Sequence, residues 1–532
     1  MFLRKPVPSR AVPQSQLLDP RQVRNEAGGH GYTVDRWELL HRFLTVGMQG
    51  GTYYVGEQKL TDRATELVLA CVVEDGPRAV QSAVEVSLAG RALKQDYTLY
   101  VLALALASPD LATRAQGYRA LPLVCRTGST LFQLLSYVKG RRGWSRGLRR
   151  AVAAWYDEMD EDKLAYQLVK YRNRQGFTHR DAMRLAHPCA SGDARQTLYA
   201  WAVGKESAAA PLPQVVRDFD AAGEAQSPDV ELAKRLPREA LPAAWLNDAS
   251  IMEALLYGTS DDEDGGRGMP LTALLRNLGN LSKCGLLVAN SKAASYVVEE
   301  LSDGARIRAA RVHPIAIFLA GRMYASGAAI RGSGTWAPVG SVVEALDHAF
   351  QLAFANVEPS HRRILVAVDA SASMSTGVLG LPVSARDAAL AMALVTAKTE
   401  PNARLVGFTD ANSAFELKVA RDERLRDVAA RFAANVEGRA TDCAEPLRFA
   451  AEAKFDLDAL VIYTDSETWA GSVHPQAALE ATRKRLRHRV KSIVAATTAT
   501  SHSIGDPGDR DVLQVSGFDA SVPAVIANFL RT

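Results

Sequence analysis

The last third of the chain alternates short apolar runs with helix-like runs, and this alternation constrains the fold more than any other feature. The strand-like runs are Ile364 to Val368, Arg404 to Phe408, Ala459 to Tyr463 and Ser492 to Ala496. The helix-like runs that separate them are Ser384 to Lys398, Arg424 to Ala434, Cys443 to Ala453 and Gln476 to Val490. Because neighbouring parallel strands need a crossover connection, usually a helix, the alternation predicts a doubly wound α/β sheet.

Oxygen-bearing side chains follow two of these strands. The first strand-like run ends in Asp369, Ser371 and Ser373, and the third ends in Asp465; Thr441 lies at the start of the helix-like run before the third. The carboxyl ends of parallel strands converge on one edge of a sheet, where ligands bind. Carboxylate and hydroxyl oxygens are hard ligands that suit Mg²⁺ or Mn²⁺. The sequence therefore predicts a divalent-cation site formed by these five residues.

Two other interpretations of this region are less well supported. A nucleotide-binding unit would need a Gly-x-Gly-x-x-Gly after the first strand or a Walker lysine, and the sequence has neither there. A catalytic metal would normally have a general base or a nucleophile beside it. His474, nine residues after Asp465, has the place of a helix-start residue before Pro475. The site is therefore interpreted as one that binds a ligand, with an open position on the metal for a partner carboxylate.

These residues match the metal-ion-dependent adhesion site of a von Willebrand factor A domain, which residues 361–532 resemble over their whole length. Residues 1–360 are then expected to form a separate unit. Periodic apolar runs of about ten residues recur there, separated by Gly, Pro or Asp, as at Asp75-Gly76-Pro77. The runs are Ala64 to Val73, Ala79 to Leu88, Tyr97 to Leu106, Ala115 to Val124, Leu131 to Val138, Leu148 to Tyr156 and Leu164 to Tyr171. Short successive helices of this kind predict stacked pairs of the HEAT or armadillo type.

Cysteine content and hydropathy bear on the compartment. The five cysteines are widely spaced and include no Cys-x-x-Cys, so neither a disulfide framework nor a zinc site is indicated. The first residues, through Pro6, break too early for a signal peptide, and no apolar run approaches the roughly twenty residues of a membrane span. A soluble, cytoplasmic protein is expected.

Charge is distributed unevenly along the chain. The formal net charge is +4, but residues 113–190 hold fifteen Lys and Arg against six Asp and Glu, which is +9 in that stretch and −5 elsewhere. A charge run is most often a solvated helical face. Here, however, most of the cations are arginines, which suit phosphates, and aromatic residues lie between them, as single-stranded nucleic acid requires. The interleaved aromatics are Trp144, Trp155, Tyr156, Tyr166, Tyr171 and Phe177.

A second resemblance carries this interpretation further. Three stretches, Phe43 to Leu60 with its Gly50-Gly51-Thr52-Tyr53-Tyr54, Gly143 to Tyr156, and Lys170 to His187, resemble the TROVE module of Ro ribonucleoproteins. A TROVE module followed by an A domain is the architecture of the Ro autoantigen family, and the chain resembles a bacterial member from end to end.

The resemblance implies an RNA-binding protein that is not an enzyme. It implies a ring of helical repeats closed by the A domain, with small Y RNAs on the basic outer surface and single-stranded 3′ ends of misfolded RNAs in the hole. It also implies a role in RNA quality control and stress survival, with 3′-to-5′ exoribonucleases as partners. By position, Lys170, Arg174 and His187 match RNA-contact residues of the family.

The candidate RNA-binding residues are Lys139, Arg141, Arg142, Arg146, Lys170, Arg172, Arg174, His179, Arg180, Arg184 and His187. Thr178 and Asp181 form a capping-box pattern for a helix that carries Arg180, Arg184 and His187 on one face. His179 either contacts RNA or caps the helix. His187 has an alternative structural role at the helix C-terminus.

Two further hypotheses remain open. In one, Asp369 and Asp465 hold a metal that hydrolyses RNA. In the other, the A domain is an adhesion-type module whose metal binds an acidic protein ligand. The RNA-binding and adhesion hypotheses are compatible, since each uses a different domain.

Overall fold

A computed structural model describes residues 11–47, 57–92, 94–174, 176–207, 209–258, 268–310, 312, 314–329, 334–354, 359–377, 383–410, 412–420, 423–497, 501–517 and 521–531. The Gly50 to Tyr54 stretch of the TROVE resemblance lies outside these residues.

The described residues of the first 360 positions are almost all helical. The helices are α1 (Arg36–Val46), α2 (Glu57–Leu88), α3 (Asp96–Ala107), α4 (Leu111–Val124), α5 (Gly128–Lys139), α6 (Arg146–Asp157), α7 (Glu161–Lys170), α8 (His179–Ala186), α9 (Asp193–Val203), α10 (Gln214–Glu224), α11 (Val230–Arg235), α12 (Ala249–Tyr257), α13 (Leu271–Lys283), α14 (Lys292–Ser302), α15 (Gly304–Ala310), α16 (Pro314–Ala325) and α17 (Gly340–Leu352). Strands β1 (Gln22–Arg24), β2 (His30–Thr33), β3 (Asn173–Arg174) and β4 (Phe177–Thr178) are the short exceptions.

Local sequence explains where these helices begin and bend. Asp110, Thr127 and Ser145 each accept a hydrogen bond from a first-turn backbone N–H and so cap α4, α5 and α6. The two helices predicted on either side of Asp75-Gly76-Pro77 are confirmed as the two arms of α2, which meet at a bend where Asp75 has a non-helical backbone (φ −152°, ψ 82°). Pro77 lacks the N–H that would continue the hydrogen-bond ladder, which accounts for the bend.

The amphipathic faces of these helices build two helical cores. One is formed by α1 to α3, and a larger one extends from Val80 to Ile251. In α6, for example, Leu148, Val152, Trp155 and Tyr156 are buried, at the three- and four-residue spacing of one helix face.

The A domain contains a six-stranded sheet with helices on its faces. Its elements are β5 (Ile364–Asp369), α18 (Ala385–Thr399), β6 (Ala403–Phe408), β7 (Phe415–Leu417), α19 (Leu425–Ala434), α20 (Glu445–Glu452), β8 (Ala459–Thr464), α21 (Pro475–Leu486), β9 (Lys491–Ala496), β10 (His502–Ser503), β11 (Val512–Ser516) and α22 (Ser521–Arg531). The strand order is β11-β9-β8-β5-β6-β7, parallel except for β7. All four predicted strands are confirmed, and β5 and β8 are buried along their whole length, as expected of strands covered on both faces.

The two parts of the chain share a core at one junction. Side chains from α13 to α17 and from β5 and α18 form one hydrophobic cluster, which includes Val297, Phe350, Val366 and Leu390. Arg424 of the A domain also donates to Glu344 of α17 at 2.7 Å. The last helices of the TROVE region are therefore packed on the A domain.

The first residues of the chain also lie on the A domain. Strand β2 pairs with β1 on one side and with β10 on the other, so residues 22–33 form a small three-stranded sheet with β10 of the A domain. In α1, the fully buried Arg42 donates to the carbonyl of His502 and to Gln514 of β11. The helical region thus begins and ends on the A domain, which closes a ring.

Two expectations concern the chain as a whole. All five cysteines are free, as predicted. No helix among the described residues combines the length and apolar character needed to cross a membrane.

The contact of Gln14 with the A domain gives a first prediction. Gln14 is fully buried, its amide donates to Asp442 (2.7 Å) and to the carbonyl of Val473 (2.8 Å), and its carbonyl oxygen accepts from Thr468. Gln14→Ala leaves these groups unsatisfied, so we expect segment 11–34 to open about 30-fold more often, for a loss of about 2 kcal/mol. Hydrogen exchange of the β1 and β2 amides measures the opening.

Gln16→Ala is the matched control, because Gln16 is exposed and lies two residues away on the same segment. It should leave the exchange unchanged. Equal exchange in both variants would show that Gln14 does not hold the segment.

Candidate metal and RNA sites

The five predicted metal ligands lie on three loops at the carboxyl edge of the sheet. Asp369 ends β5 and is fully buried; its Oδ1 accepts from the Ser371 backbone N–H (2.9 Å) and hydroxyl (2.5 Å). The Ser371 and Ser373 hydroxyls are 3.2 Å apart. Asp465 follows β8 and is 3% exposed. Four of the five predicted ligands are therefore brought together by β5 and β8.

The loop that carries Thr441 is held against the other two loops. The carbonyl of Thr441 accepts from the Trp469 and Ala470 backbone N–H groups, each at 3.0 Å, just beyond Asp465. On the other side, the Ala372 N–H donates to the carbonyl of Arg439 at 3.2 Å. The backbone of this loop is thus fixed between the Asp369 and Asp465 loops.

The Thr441 hydroxyl tests whether these residues fit a cation. Thr441 is fully buried, and its Oγ1 has no hydrogen-bond partner within the described residues. A buried hydroxyl without a partner costs about 1–3 kcal/mol, so such groups are rare unless a ligand satisfies them. A bound cation would supply the missing partner, and the donor set fits it.

The two buried carboxylates give the same indication. Burial raises the pKa of Asp369, and burial together with the nearby charges of Asp369 and Glu467 raises the pKa of Asp465. A divalent cation between them would compensate both charges. Within the described residues no three His, Cys, Asp or Glu side chains form a metal-binding group, so this site would depend on two carboxylates and three hydroxyls.

Two groups that the sequence analysis missed support the site from behind. Thr464 donates to Asp369 Oδ2 at 2.7 Å, so each oxygen of that carboxylate has a protein donor. Thr468 accepts from the Cys443 N–H at 3.0 Å and donates to Gln14, which links the two loops to the first residues of the chain. The alternation of hydroxyls in Thr464-Asp465-Ser466 was a signal for Thr464, whereas nothing in the sequence indicated Gln14.

The candidate RNA-binding residues lie on neighbouring elements of the helical region. Arg180 and Arg184, four residues apart on α8, are exposed, His187 is exposed just beyond the end of the helix, and Thr178 with Asp181 forms the predicted capping box. His187 is the left-handed C-cap of α8 (φ 54°), and its N–H donates to the Met183 carbonyl at 2.8 Å. Its backbone therefore ends the helix while its side chain stays accessible.

The remaining cations of this group surround α5 and α7. Lys139, Arg141, Arg142 and Arg146 are exposed, and Arg141 lies over the ring of Tyr100, 5.0 Å from its centroid. Arg172 is exposed and lies 4.6 Å from the centre of the Phe219 ring. The side chain of Arg174 is outside the described residues. We refer to Lys139, Arg141, Arg142, Arg146, Lys170, Arg172, Arg180, Arg184 and His187 as the basic strip.

His179 is placed differently from the prediction. It is 4% exposed, and its ring nitrogens lie 2.8 Å from the Tyr156 hydroxyl and 3.2 Å from the Gln167 carbonyl. Burial lowers the pKa of His179 to about 3, so the ring is neutral. The residue packs inside the helical core and is not part of the basic strip.

Three of the six expected base-stacking aromatics are also core residues. Trp155, Tyr156 and Phe177 are buried, because they occupy the apolar faces of amphipathic segments, whereas Tyr166 is 40% exposed. When aromatic residues and arginines alternate along an amphipathic helix, the aromatic residues occupy the buried face and the arginines occupy the face exposed to solvent. The stacking surface is therefore smaller than the sequence predicts.

A cavity of about 730 Å³ opens between the two halves of the helical region. Lys170, Tyr166 and Tyr171 lie on one wall, and Lys234, Arg238 and Arg276 lie on the others. Thr272, Arg276 and Asn280, spaced four residues apart on α13, also line an adjoining apolar cavity of about 570 Å³. Lys170 donates to the Tyr166 hydroxyl at 2.9 Å, which fixes a cation beside an exposed ring.

Both regions of the chain match known families. The TROVE domain model matches residues 23–210 and 230–322, and the model of the Ro60 von Willebrand factor A domain matches residues 363–530. The RNA-binding protein RO60 of Deinococcus radiodurans is 41% identical over 529 residues, which cover 98% of this chain and 97% of that relative. The RNA-binding protein RO60 of Caenorhabditis elegans is 29% identical over 604 residues, with 98% and 92% covered.

A solved structure agrees with these matches. The crystal structure of the Deinococcus radiodurans RO (RSR) protein is 38% identical, with a TM-score of 0.69, and the match covers 93% of this chain and 99% of that one. The similarity therefore includes the arrangement of both regions.

The partnerless hydroxyl of Thr441 gives a prediction on metal affinity. Thr441→Val removes the hydroxyl at almost constant volume and relieves an unsatisfied group, so we expect the metal-free protein to be at least as stable as the parent. Removing a residue that only orients a metal ligand lowers metal affinity by about 10- to 100-fold. Removing the Thr441 hydroxyl, a proposed direct ligand, should therefore weaken Mn²⁺ binding at least tenfold. Calorimetric titration with Mn²⁺ measures the affinity.

Thr468→Val is the contrasting variant, since this hydroxyl is bonded to Gln14 and to the Cys443 N–H. It should destabilise the metal-free protein by about 2 kcal/mol. Parental Mn²⁺ affinity in Thr441→Val would remove Thr441 from the ligand set.

Burial of His179 gives a prediction on pH dependence. Because the pKa of His179 is lowered to about 3 in the folded protein, the unfolded chain takes up a proton near pH 6.5 and the folded chain does not. The resulting stability is present above pH 6.5 and is lost as the pH falls, by about 2 kcal/mol between pH 7.5 and 5. We expect His179→Gln to lack this loss in urea unfolding, whereas His187→Gln, at an exposed histidine, keeps it.

Proposed function

Because the chain belongs to the Ro family, whose relatives are RNA-binding proteins, we propose that it binds small structured Y-like RNAs through the basic strip. The observation that carries the proposal is the exposed face of α8, where Arg180 and Arg184 lie one turn apart, with exposed His187 next to the helix end, and none of the three has an acidic partner among the described residues. When exposed cations without an acidic partner neutralise phosphates, the counterions bound to the nucleic acid are released. This release supplies a large part of the affinity for nucleic acid.

The cavity is proposed to admit the single-stranded 3′ ends of misfolded or damaged RNAs. Its walls combine cations, Lys170 and Arg276 among them, with the exposed ring of Tyr166. Cations and an aromatic surface together suit a splayed single strand, whose backbone needs positive charge and whose bases stack. The adjoining apolar cavity beside α13 extends this surface.

The proposed cellular role is RNA quality control, processing or decay during stress, in the cytoplasm, with a 3′-to-5′ exoribonuclease as partner. In this role the protein presents RNA and does not cut it. His474, the histidine closest in sequence to Asp465, supports this, because its ring is held by the Gln16 carbonyl at 2.7 Å and faces Gln22. It is therefore not available as a general base.

Asp369, Ser371, Ser373, Thr441 and Asp465 are proposed to hold Mg²⁺ or Mn²⁺. When bound, the ion would supply a positive charge at the sheet edge and a coordination position for an acidic protein ligand. Trp469, 40% exposed and next to the Thr441 loop, offers an apolar contact beside that position. The adhesion-type function of the A domain is kept as a second candidate on this observation.

The main proposal is tested by filter binding at several salt concentrations, with a structured RNA that carries or lacks a single-stranded 3′ tail. We expect Arg180→Glu combined with Arg184→Glu to weaken binding at least tenfold at about 0.1 M salt and to flatten the salt dependence by about 1 to 2 in the log–log slope. Lys283→Glu with Arg308→Glu, at two exposed cations outside the strip, changes the charge equally and should have a much smaller effect.

The cavity is tested in the same experiment. Arg276→Gln should reduce the preference for the tailed RNA, and Lys283→Gln, on the same helix but outside the cavity wall, should not. Parental binding by the α8 variant would contradict the strip. Cleavage of the RNA that requires divalent metal and is lost in Asp369→Ala would favour the hydrolase instead.

A further inference from the structure

The A domain carries a second cluster of cations that lies far from the metal site. Residues 361–532 hold 21 Lys and Arg and 21 Asp and Glu, so the domain is neutral as a whole. Six of the cations fall between Arg483 and Lys491, and no acidic residue occurs from 481 to 505. The cluster covers the end of α21 and the start of β9.

Half of these six cations serve the fold. Arg483 pairs with Asp509 at 2.7 Å and with Glu480 at 2.8 Å, and Arg489 pairs with Asp511. Lys491 donates to the carbonyl of Phe529 at 2.5 Å. These three side chains are used within the domain and are not free for a partner.

The other three cations have no such role. Lys484, Arg485 and Arg487 are exposed, and none has an acidic partner among the described residues. Arg362 is also exposed and adds a fourth positive charge. Burial is the main cause of the lowered pKa of Lys491, and the nearby charge of Arg362 lowers it as well. We refer to Arg362, Lys484, Arg485 and Arg487 as the distal basic patch.

A structural explanation covers only part of the patch. Cations in the last turn of a helix stabilise the helix dipole, and Lys484 and Arg485 are in the last turn of α21. Arg487 lies beyond the helix in the left-handed region (φ 58°), where glycine is preferred and another residue costs about 1–2 kcal/mol. The helix dipole therefore does not account for Arg487, whose exposed side chain has no acidic partner among the described residues and is available to a ligand.

The patch is separate from the metal site. Lys491 begins β9 opposite Ala459, and Ala496 ends it opposite Thr464, which precedes Asp465. Six residues of strand span roughly 20 Å. The patch therefore lies at the opposite edge of the sheet, and one small ligand cannot occupy both sites.

The side chains around the distal basic patch indicate which kind of partner it would bind. The large hydrophobic side chains found exposed in the described residues include only one from the A domain, Trp469, which lies at the metal end. Single-stranded RNA would need an aromatic surface for its bases, and a stable protein interface would need an apolar centre. Duplex RNA is recognised largely through phosphates and shape, which requires neither.

We propose that the distal basic patch binds the phosphate backbone of double-stranded RNA, as a second RNA contact on the A domain. This rests on the proposed RNA-binding function. It places part of a structured RNA along the A domain, while other parts of the RNA contact the basic strip.

The test uses the full chain and a blunt-ended RNA hairpin of mixed sequence without a single-stranded tail. In the combined variant Lys484→Gln, Arg485→Gln and Arg487→Gln we expect about tenfold weaker binding at about 0.1 M salt, and a log–log salt slope shallower by about 2.7, for three lost phosphate contacts on a duplex. Acetylation of Lys484, read by mass spectrometry, should also slow when the RNA is bound.

The control combines Lys283→Gln, Arg308→Gln and Lys418→Gln, three exposed cations far apart in the sequence. It removes the same charge without removing a cluster, so its slope should stay close to that of the parent. Circular dichroism and the Mn²⁺ affinity confirm that both variants are folded.

The outcomes separate this inference from the proposed function. A parental slope and unprotected Lys484, with binding still weakened in the α8 variant, would overturn the distal patch and leave the basic strip. Parental binding in both the patch and the α8 variants would overturn both site assignments, whereas a parent chain that binds neither RNA in a salt-sensitive way would overturn the RNA-binding proposal itself. Protection of Lys484 by an acidic protein but not by the hairpin would also overturn the patch as an RNA site.

Discussion

The docking of the first described residues onto the A domain is the contact on which the architecture depends. Gln14 places both atoms of its side-chain amide in hydrogen bonds to the A domain, and β2 pairs with β10 about 470 residues further along the chain. Together with the core shared by α17 and β5, this contact makes the helical region a closed ring.

The same contact explains why the candidate metal site is preorganised. Asp442, which follows Thr441, accepts from Gln14 and from Arg448, while Thr468 bridges Gln14 to the Cys443 N–H. The loops of Thr441 and Asp465 are thus fixed from outside the domain. What remains unsatisfied is the Thr441 hydroxyl and the charge of two buried carboxylates, and these are the groups that a divalent cation would satisfy. Ring closure and cation binding therefore use neighbouring contacts.

The sequence predicted those features whose signals are local. Strands β5 and β8 are covered on both faces, so they are continuous apolar runs, and the oxygens at their ends could be identified directly. The exposed face of α8 followed from residue spacing. By contrast, the strand pairing of residues 32–33 with residues 502–503 leaves no local trace, and Gln14 is an ordinary polar residue until its partners are known. Trp155 and His179 were predicted to lie on the RNA-binding surface, but both are buried. On an amphipathic helix, an aromatic residue next to an arginine in the sequence is more often on the buried face, while the arginine is on the exposed face.

Whether an arginine can bind a phosphate depends on whether it already pairs with a carboxylate, more than on how many arginines a region contains. In the A domain Arg363 pairs with Asp458, Arg404 with Glu416 and Arg448 with Asp442, so these charges are already compensated. A paired arginine would have to give up its carboxylate before it could bind RNA, at a cost similar to the gain. Arg180, Arg184 and Arg487 need no such exchange, because no carboxylate among the described residues holds them. The net charge of the A domain counts ion-paired and unpaired cations alike, but only the unpaired ones are available to an approaching RNA. A domain with no net charge can therefore still carry a phosphate-binding surface.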